Sequence, residues 1–364
     1  MKKFLCLLLC FAMATLFLVS CGEDDLGSEF LDIYPENNTV IDDVELNMYI
    51  ITDSATADNA KITVNSTIAT HTDSKYHSKV NVCFVDEEDY DEVVLEAAKS
   101  EDENAANIVL VNSEELMDKL VTQNLVAELN GYLENDKFGT LNVSIEKLLA
   151  ASKYVIDGEE KYFAIPNNHV IGEYEFLVID EEIAKQTLKY NPSTLASYTT
   201  YEDTATLRED ISSKLGLDPD EYVQCVKGTY SLKAQYEANG KVCNVVKYPV
   251  VDSEEAFSSA FAIIDRGDKL NLRAMEIIYA LTSNSDIELR NYLQYGVLGT
   301  NYRLSSDGKV IREDTEVNRY FMNIMYTGDM FYAYNCDELN WTDEAKANAK
   351  LQNAEAVVEE STVE

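Results

Sequence analysis

Positive charge is what this chain has least of. Its 364 residues carry 29 Lys and Arg against 66 Asp and Glu, a formal net charge of −37. A polyphosphate binder concentrates basic side chains, so nucleic acid is excluded as an ordinary partner. The same imbalance disfavours anionic membrane surfaces and anionic ligands at long range. Histidine is scarce too. His71, His77 and His169 do not stand at ligand spacing and no Cys-x-x-Cys pair occurs, so no metal site is expected. There is no Gly-x-Ser-x-Gly elbow, no phosphate-cradling Gly-rich loop and no His-Glu-x-x-His pattern. Carboxylates are so common that no pair of them argues for glycoside hydrolysis. The chain is therefore not read as an enzyme, and no catalytic residue or cofactor is expected. Past the first twenty residues, no stretch is long and apolar enough to span a bilayer.

The N-terminus has the pattern of an address. Lys2 and Lys3 precede sixteen almost unbroken apolar residues, Phe4 to Val19, which suit a signal-peptide core and are short for a span. Leu18-Val19-Ser20-Cys21 follows and resembles the bacterial lipobox. That resemblance implies removal of residues 1–20, acylation of Cys21, and a mature protein on the outer face of the bacterial cytoplasmic membrane. Residues 22–45 hold nine acidic residues and no Lys or Arg, so 21–45 reads as a solvated acidic tether. Beyond Cys21, the cysteines are Cys83, Cys225, Cys243 and Cys336. An extracellular setting permits disulfides. Cys225 and Cys243 flank what reads as a hairpin and are the pair to consider, although buried free thiols are the simpler reading.

From Glu45 onward strands and helices alternate. Leu46–Thr52, Val80–Val85 and Asn107–Val111 read as strands, the last nearly all apolar, as buried parallel strands are. Residues 56–78 and 89–100 read as helices, and Asn112-Ser113-Glu114-Glu115 offers a cap and acidic first turn for a helix at 116–121. Lys161–Asn168 reads as a strand stopped by Pro166, and Glu173–Asp180 as another. Residues 256–264 form a strand-like run, while 272–281 and 287–293 have helical periodicity. A turn and hairpin are expected at 295–311. This rhythm argues for parallel sheets with helices on their faces, and the length allows two lobes.

Four segments carry a resemblance. They are Leu125–Leu133, Lys161–Asp180, Phe257–Glu276, and Leu289-Arg290-Asn291-Tyr292-Leu293-Gln294-Tyr295-Gly296 followed by Gly299-Thr300-Asn301-Tyr302. In this order they resemble extracellular solute-binding lipoproteins of ABC importers, in the sugar and oligosaccharide family. The resemblance implies an α/β, two-lobed periplasmic-binding-protein type II ("Venus flytrap") fold with a hinge. It places lobe 1 at 46–135 plus 260–311, lobe 2 at 136–259 plus 312–350, and an acidic tail at 351–364. It also implies a monomer that hands a saccharide to ABC permease subunits and touches the membrane only through its lipid. Residues 190–250 depart from the pattern by being short. The charge keeps a polyamine or other cationic ligand open as an alternative. The short middle leaves room for a surface interaction protein that does not transport.

Open α/β sheets bind ligands outside the carboxyl ends of strands. Sugar hydroxyls need short polar partners, and ring faces need an aromatic. The candidates on that basis are Asp53 and Ser54 after the first strand, Asn112 and Ser113 after the third, Asn167 and Asn168 after the Pro-stopped strand, then Tyr174 and Tyr332. Ser113 serves equally as a helix cap, Asn167-Asn168 as a turn, and Tyr174 as strand packing. Tyr332 and Tyr334 are expected to share one face of a strand, and Trp341, the only tryptophan, reads as a surface staple.

Overall fold

Three of the expected strands lie side by side. The structure, a computed structural model, describes residues 43–359. The signal segment 1–20, Cys21, nearly all of the tether and the end of the tail lie outside the described residues. Val44–Thr52 (β1), Ser78–Asp86 (β2) and Ile108–Val111 (β3) run parallel in the order β2-β1-β3. Helix α1, Asp58–Tyr76, joins the first two strands. It tolerates its many threonines because Thr63, Thr67 and Thr70 each give their hydroxyl to the carbonyl four residues back. Tyr90–Lys99 (α2) leads to β3, and Glu114–Thr122 (α3) follows it.

Next come Ala164–Pro166 (β4), Tyr174–Asp180 (β5), Val223–Gly228 (β6), helix α4 at Tyr230–Ala238, and Lys241–Lys247 (β7). Ala260–Ile263 (β8) precedes the helices α5, Asp268–Thr282, and α6, Ile287–Tyr295. Asp343–Glu355 (α7) is the last helix of the described residues.

Two sheets organise these elements. The larger has the order β2-β1-β3-β8-β4, with β8 antiparallel to both neighbours. The strands β1, β3 and β4 therefore all end at one edge. Strands β3 and β8 are four residues each and wholly buried, which their Ile-Val-Leu-Val and Ala-Phe-Ala-Ile sequences allow. Pro166 closes β4, an edge strand, where a missing N–H costs no ladder bond. The smaller sheet is antiparallel, in the order β6-β5-β7. Leu177, Ile179, Leu207 and Val223 pack on one face; Tyr174, Phe176 and Cys243 pack on the other.

Several expectations need correction. Phe138, Leu141, Ile145, Leu148 and Leu149, which the expected boundary at 135 assigns to the second lobe, pack in the large sheet's core. The change of core falls between Ile171 and Tyr174. The run 256–264 is the end of a short helix, Ser253–Phe257, followed by β8. Cys225 stands opposite Leu177 and Cys243 opposite Val178, on either side of β5. Two strand spacings, about 10 Å, separate them, too far for a disulfide. All four described cysteines are free. Tyr332 ends a short 3-10 turn, Met330–Tyr332, so it shares no strand face with Tyr334. Trp341 is buried; its Nε1 donates to the Met330 carbonyl at 2.8 Å and its ring meets Phe331 edge-on.

Candidate ligand site at the carboxyl ends of the large sheet

The pairing of β3, β8 and β4 sets Val111, Ala260 and Pro166 in one row. The next residues outward are Asn112, Ser259 and Asn167. The β1–β3 register pairs Tyr49 with Val109, and carrying it three residues on brings Thr52 level with Asn112. Along this row three buried oxygens have no hydrogen-bond partner: Thr52 Oγ1, Asn112 Oδ1 and Asn167 Oδ1. Buried polar atoms are nearly always paired, so three orphans in one row call for a cause. A ligand or water arriving at the strand ends supplies one.

The segment that overhangs this edge is held by side chains of α6. Arg290 is fully buried; its Nε donates to the Asp329 carbonyl at 3.0 Å and its Nη2 to the Ile324 carbonyl at 3.3 Å. Gln294 Nε2 donates to the Met322 carbonyl, and its Oε1 accepts the Thr327 hydroxyl. Gly328 has φ of 101°, and a Cβ there would collide with the Leu281 carbonyl. Only glycine fits that approach. The Arg-Asn-x-Leu-Gln-Tyr-Gly pattern is thus a clamp for 322–329. That segment in turn meets the strand ends. The Met325 carbonyl accepts Asn167 Nδ2 at 3.2 Å and Ser259 Oγ at 2.6 Å.

A cavity of about 470 Å³ opens beside it, lined by Thr52, Asp53, Glu87, Arg312, Phe321 and Tyr326, among others. Thr56 fastens its aromatic wall to the β1 end. Its hydroxyl donates to the Phe321 carbonyl at 2.8 Å and accepts the Phe321 N–H at 3.0 Å. Arg312 stacks on Phe321, 4.6 Å from the ring centre, and its Nε donates to Glu338 at 2.8 Å. Burial, then the nearby Glu87 carboxylate, raise the Tyr326 hydroxyl above its ordinary value, so it stays protonated and able to donate. Polar edges and aromatic faces together can hold a polyhydroxylated ring.

The sequence-predicted residues divide. Asp53 lines the cavity while one carboxylate oxygen accepts the Ala55 N–H at 2.7 Å. Ser54 is exposed on the same loop. Asn112 and Asn167 belong to the orphan row. Ser113 is spent as the cap of α3, accepting the Leu116 N–H. Asn168 turns to Asp329, Nδ2 to Oδ2 at 2.9 Å, and lines a different cavity near Asn353. Tyr174 is packed against Phe176 in the small sheet's core and gives its hydroxyl to Glu355, which removes it as an exposed candidate. Tyr332 is not among the cavity's lining residues. Thr52, Glu87 and Arg312 are not among the sequence candidates; Phe321 and Tyr326 belong to the aromatic-rich run 320–334, which the sequence alone reads equally as core or as cleft lining.

Two sheets with separate cores, and a polar and aromatic cavity at the end of β1, make up a two-lobed α/β fold that solved structures share. The N-glycan transport solute binding protein NgtS of Streptococcus pneumoniae shares it, at 15% identity and a TM-score of 0.56, over 86% of this chain and 83% of that one. The same protein with Man1GlcNAc aligns at 14% identity and a TM-score of 0.53, over 86% and 84%. With Man5GlcNAc the values are 15% and 0.52, over 87% and 83%. No family model matches the sequence, and no curated protein matches it. No helix among the described residues is long and apolar enough to cross a membrane.

Proposed function

We propose that this chain captures a carbohydrate, of oligosaccharide size, for an ABC importer, and that acyl chains on Cys21 hold it at the outer face of the membrane. The observation that carries the reading is the cavity at the end of β1, lined by Thr52, Asp53, Phe321 and Tyr326, on the sheet edge where Thr52, Asn112 and Asn167 keep unpartnered oxygens. Hydroxyl groups would complete those oxygens, and the rings would take the apolar faces of a sugar. The fold shared with NgtS supports the same reading.

Thermal unfolding of the full chain, purified in detergent, tests it against a panel of neutral oligosaccharides. A ligand at about 100 times its dissociation constant adds about 2.7 kcal/mol, a shift of a few degrees in a chain of this size. A shift confined to one saccharide class is expected. Silence across the panel overturns the reading.

A further inference from the structure

We propose that the cavity at the end of β1 selects a saccharide bearing a free amine, with Asp53 and Glu87 as the residues that recognise the ammonium group. The inference rests on the carbohydrate reading above and narrows it.

The cavity is more than an acidic patch. Thr52, 3% exposed, stands at its floor, and the Thr52 hydroxyl is buried there without a partner. Phe321 and Tyr326 supply aromatic surface, so the place is shaped for a ring with polar substituents. Its charge then decides which ring. Asp53 and Glu87 both line it, and neither forms an ion pair with a Lys, Arg or His of the described chain. Asp53 has one oxygen on the Ala55 N–H and the other to offer. Arg312 is the one cation among the lining residues, and it is engaged by Glu338 and by the face of Phe321. Counting Glu338, the wall keeps an excess of two negative charges. A sugar carboxylate entering here would meet like charge. An ammonium group would meet two carboxylates able to form charge-assisted hydrogen bonds. A neutral N-acetyl group would gain neither benefit.

The test is titration calorimetry of the full chain in detergent, at mildly acidic pH. The probes are glucosamine trimer, its fully N-acetylated counterpart, galacturonate trimer and spermidine. Exposed ion pairs are individually weak. The amine trimer is therefore expected to bind about fivefold tighter than the acetylated one at low ionic strength. That advantage should shrink toward unity as salt is raised to about 0.15 M. Galacturonate should not bind. E87Q and D53N should each reduce the ratio of amine to acetylated affinity by about twofold. Equal affinity for the two trimers, an undiminished ratio in both variants, or no binding of the amine trimer each overturn the inference. Spermidine binding as tightly as the amine trimer overturns it as well, since the site would then read charge alone. The carbohydrate reading is judged separately. It falls only if the neutral panel is also silent.

Discussion

The large sheet has two edges made by the same strands, and they are finished differently. Where β1 and β3 begin and β8 ends, the polar groups interlock. The Asn47 N–H donates to Asn107 Oδ1, and Asn47 Nδ2 donates to the Glu103 and Ala105 carbonyls. The Arg266 guanidinium donates to the Ala97, Ala98 and Ala106 carbonyls, tying the end of α2 to the start of β3. Where β1, β3 and β4 end, Thr52, Asn112 and Asn167 each keep a buried oxygen unpartnered. The first edge is closed by the chain's own groups. At the second, the Met325 carbonyl meets Asn167 Nδ2 and Ser259 Oγ, and the three oxygens stay unpartnered. Packing alone would not produce that asymmetry, because both edges are lined by the same buried strands.

The largest expected effect breaks the closed edge. Arg266→Ala removes three hydrogen bonds from a charged donor to backbone carbonyls and leaves those carbonyls to find water. A loss of about 3 kcal/mol in global stability is expected, read from denaturant unfolding. Saccharide affinity of the folded variant should match the parent chain, since Arg266 lies at the far edge. A loss under about 0.5 kcal/mol would mean that this edge does not depend on the guanidinium.

Buried carboxylates repeat the contrast. At the N-cap of α6, burial alone would raise the Asp286 carboxyl. The His71 hydrogen bond, the Leu289 N–H and the Tyr76 hydroxyl hold it well below the usual range instead. Its contribution to stability is present above an ordinary aspartate pKa near 4 and fades as pH falls. Asp329, beside Asn168 and the overhanging segment, goes the other way. Burial pushes its carboxyl up to about 6, in spite of hydrogen bonds from Asn168 and the Phe331 N–H. Between about pH 4 and pH 6 the folded chain still holds this proton and the unfolded chain has released it. Stability therefore falls as pH rises through that window and levels off above it. From pH 4 to pH 7 the parent chain should lose about 2 kcal/mol more than Asp329→Asn. Parallel pH profiles for the two chains would show that Asp329 is not held neutral.

Some of this could be read from the residues. The alternation of β-branched runs with capped helices set out β1 to β3, and the rule that ligands meet strand ends reached Asp53, Asn112 and Asn167. Contacts between distant parts of the chain were out of reach. Nothing local to Phe321 or Tyr326 says that Arg290 and Gln294 will hold their segment over the end of β1. Tyr174 alternates with Glu173 and Glu175 and so faces one side of β5, but only the distant Tyr230, Tyr248 and Glu355 reveal that this side is buried. Trp341 sits between two polar residues, and its burial comes from the distant cluster of Tyr295, Met330 and Phe331 and the hydrogen bond to the Met330 carbonyl. Cys225 and Cys243 seemed neighbours because the hairpin reading had no place for β5 between them.

The smallest change in stability carries the sharpest test of the open edge. Thr52→Val keeps the shape of the side chain and removes the hydroxyl that has no partner. At a satisfied position such a swap costs stability, because a buried group loses its bond. At Thr52 the hydroxyl is already desolvated without return, so removing it should leave stability unchanged or raise it by up to about 1 kcal/mol. Binding should move the other way. One hydrogen bond to the ligand is worth about 1 kcal/mol, so affinity for the saccharide found in the panel should drop about fivefold. A stability loss above about 1 kcal/mol would show that the hydroxyl is paired in the folded chain. An unchanged affinity would show that the row of oxygens does not read the ligand. A gain in stability together with a loss in affinity is the outcome that only an edge reserved for a ligand produces.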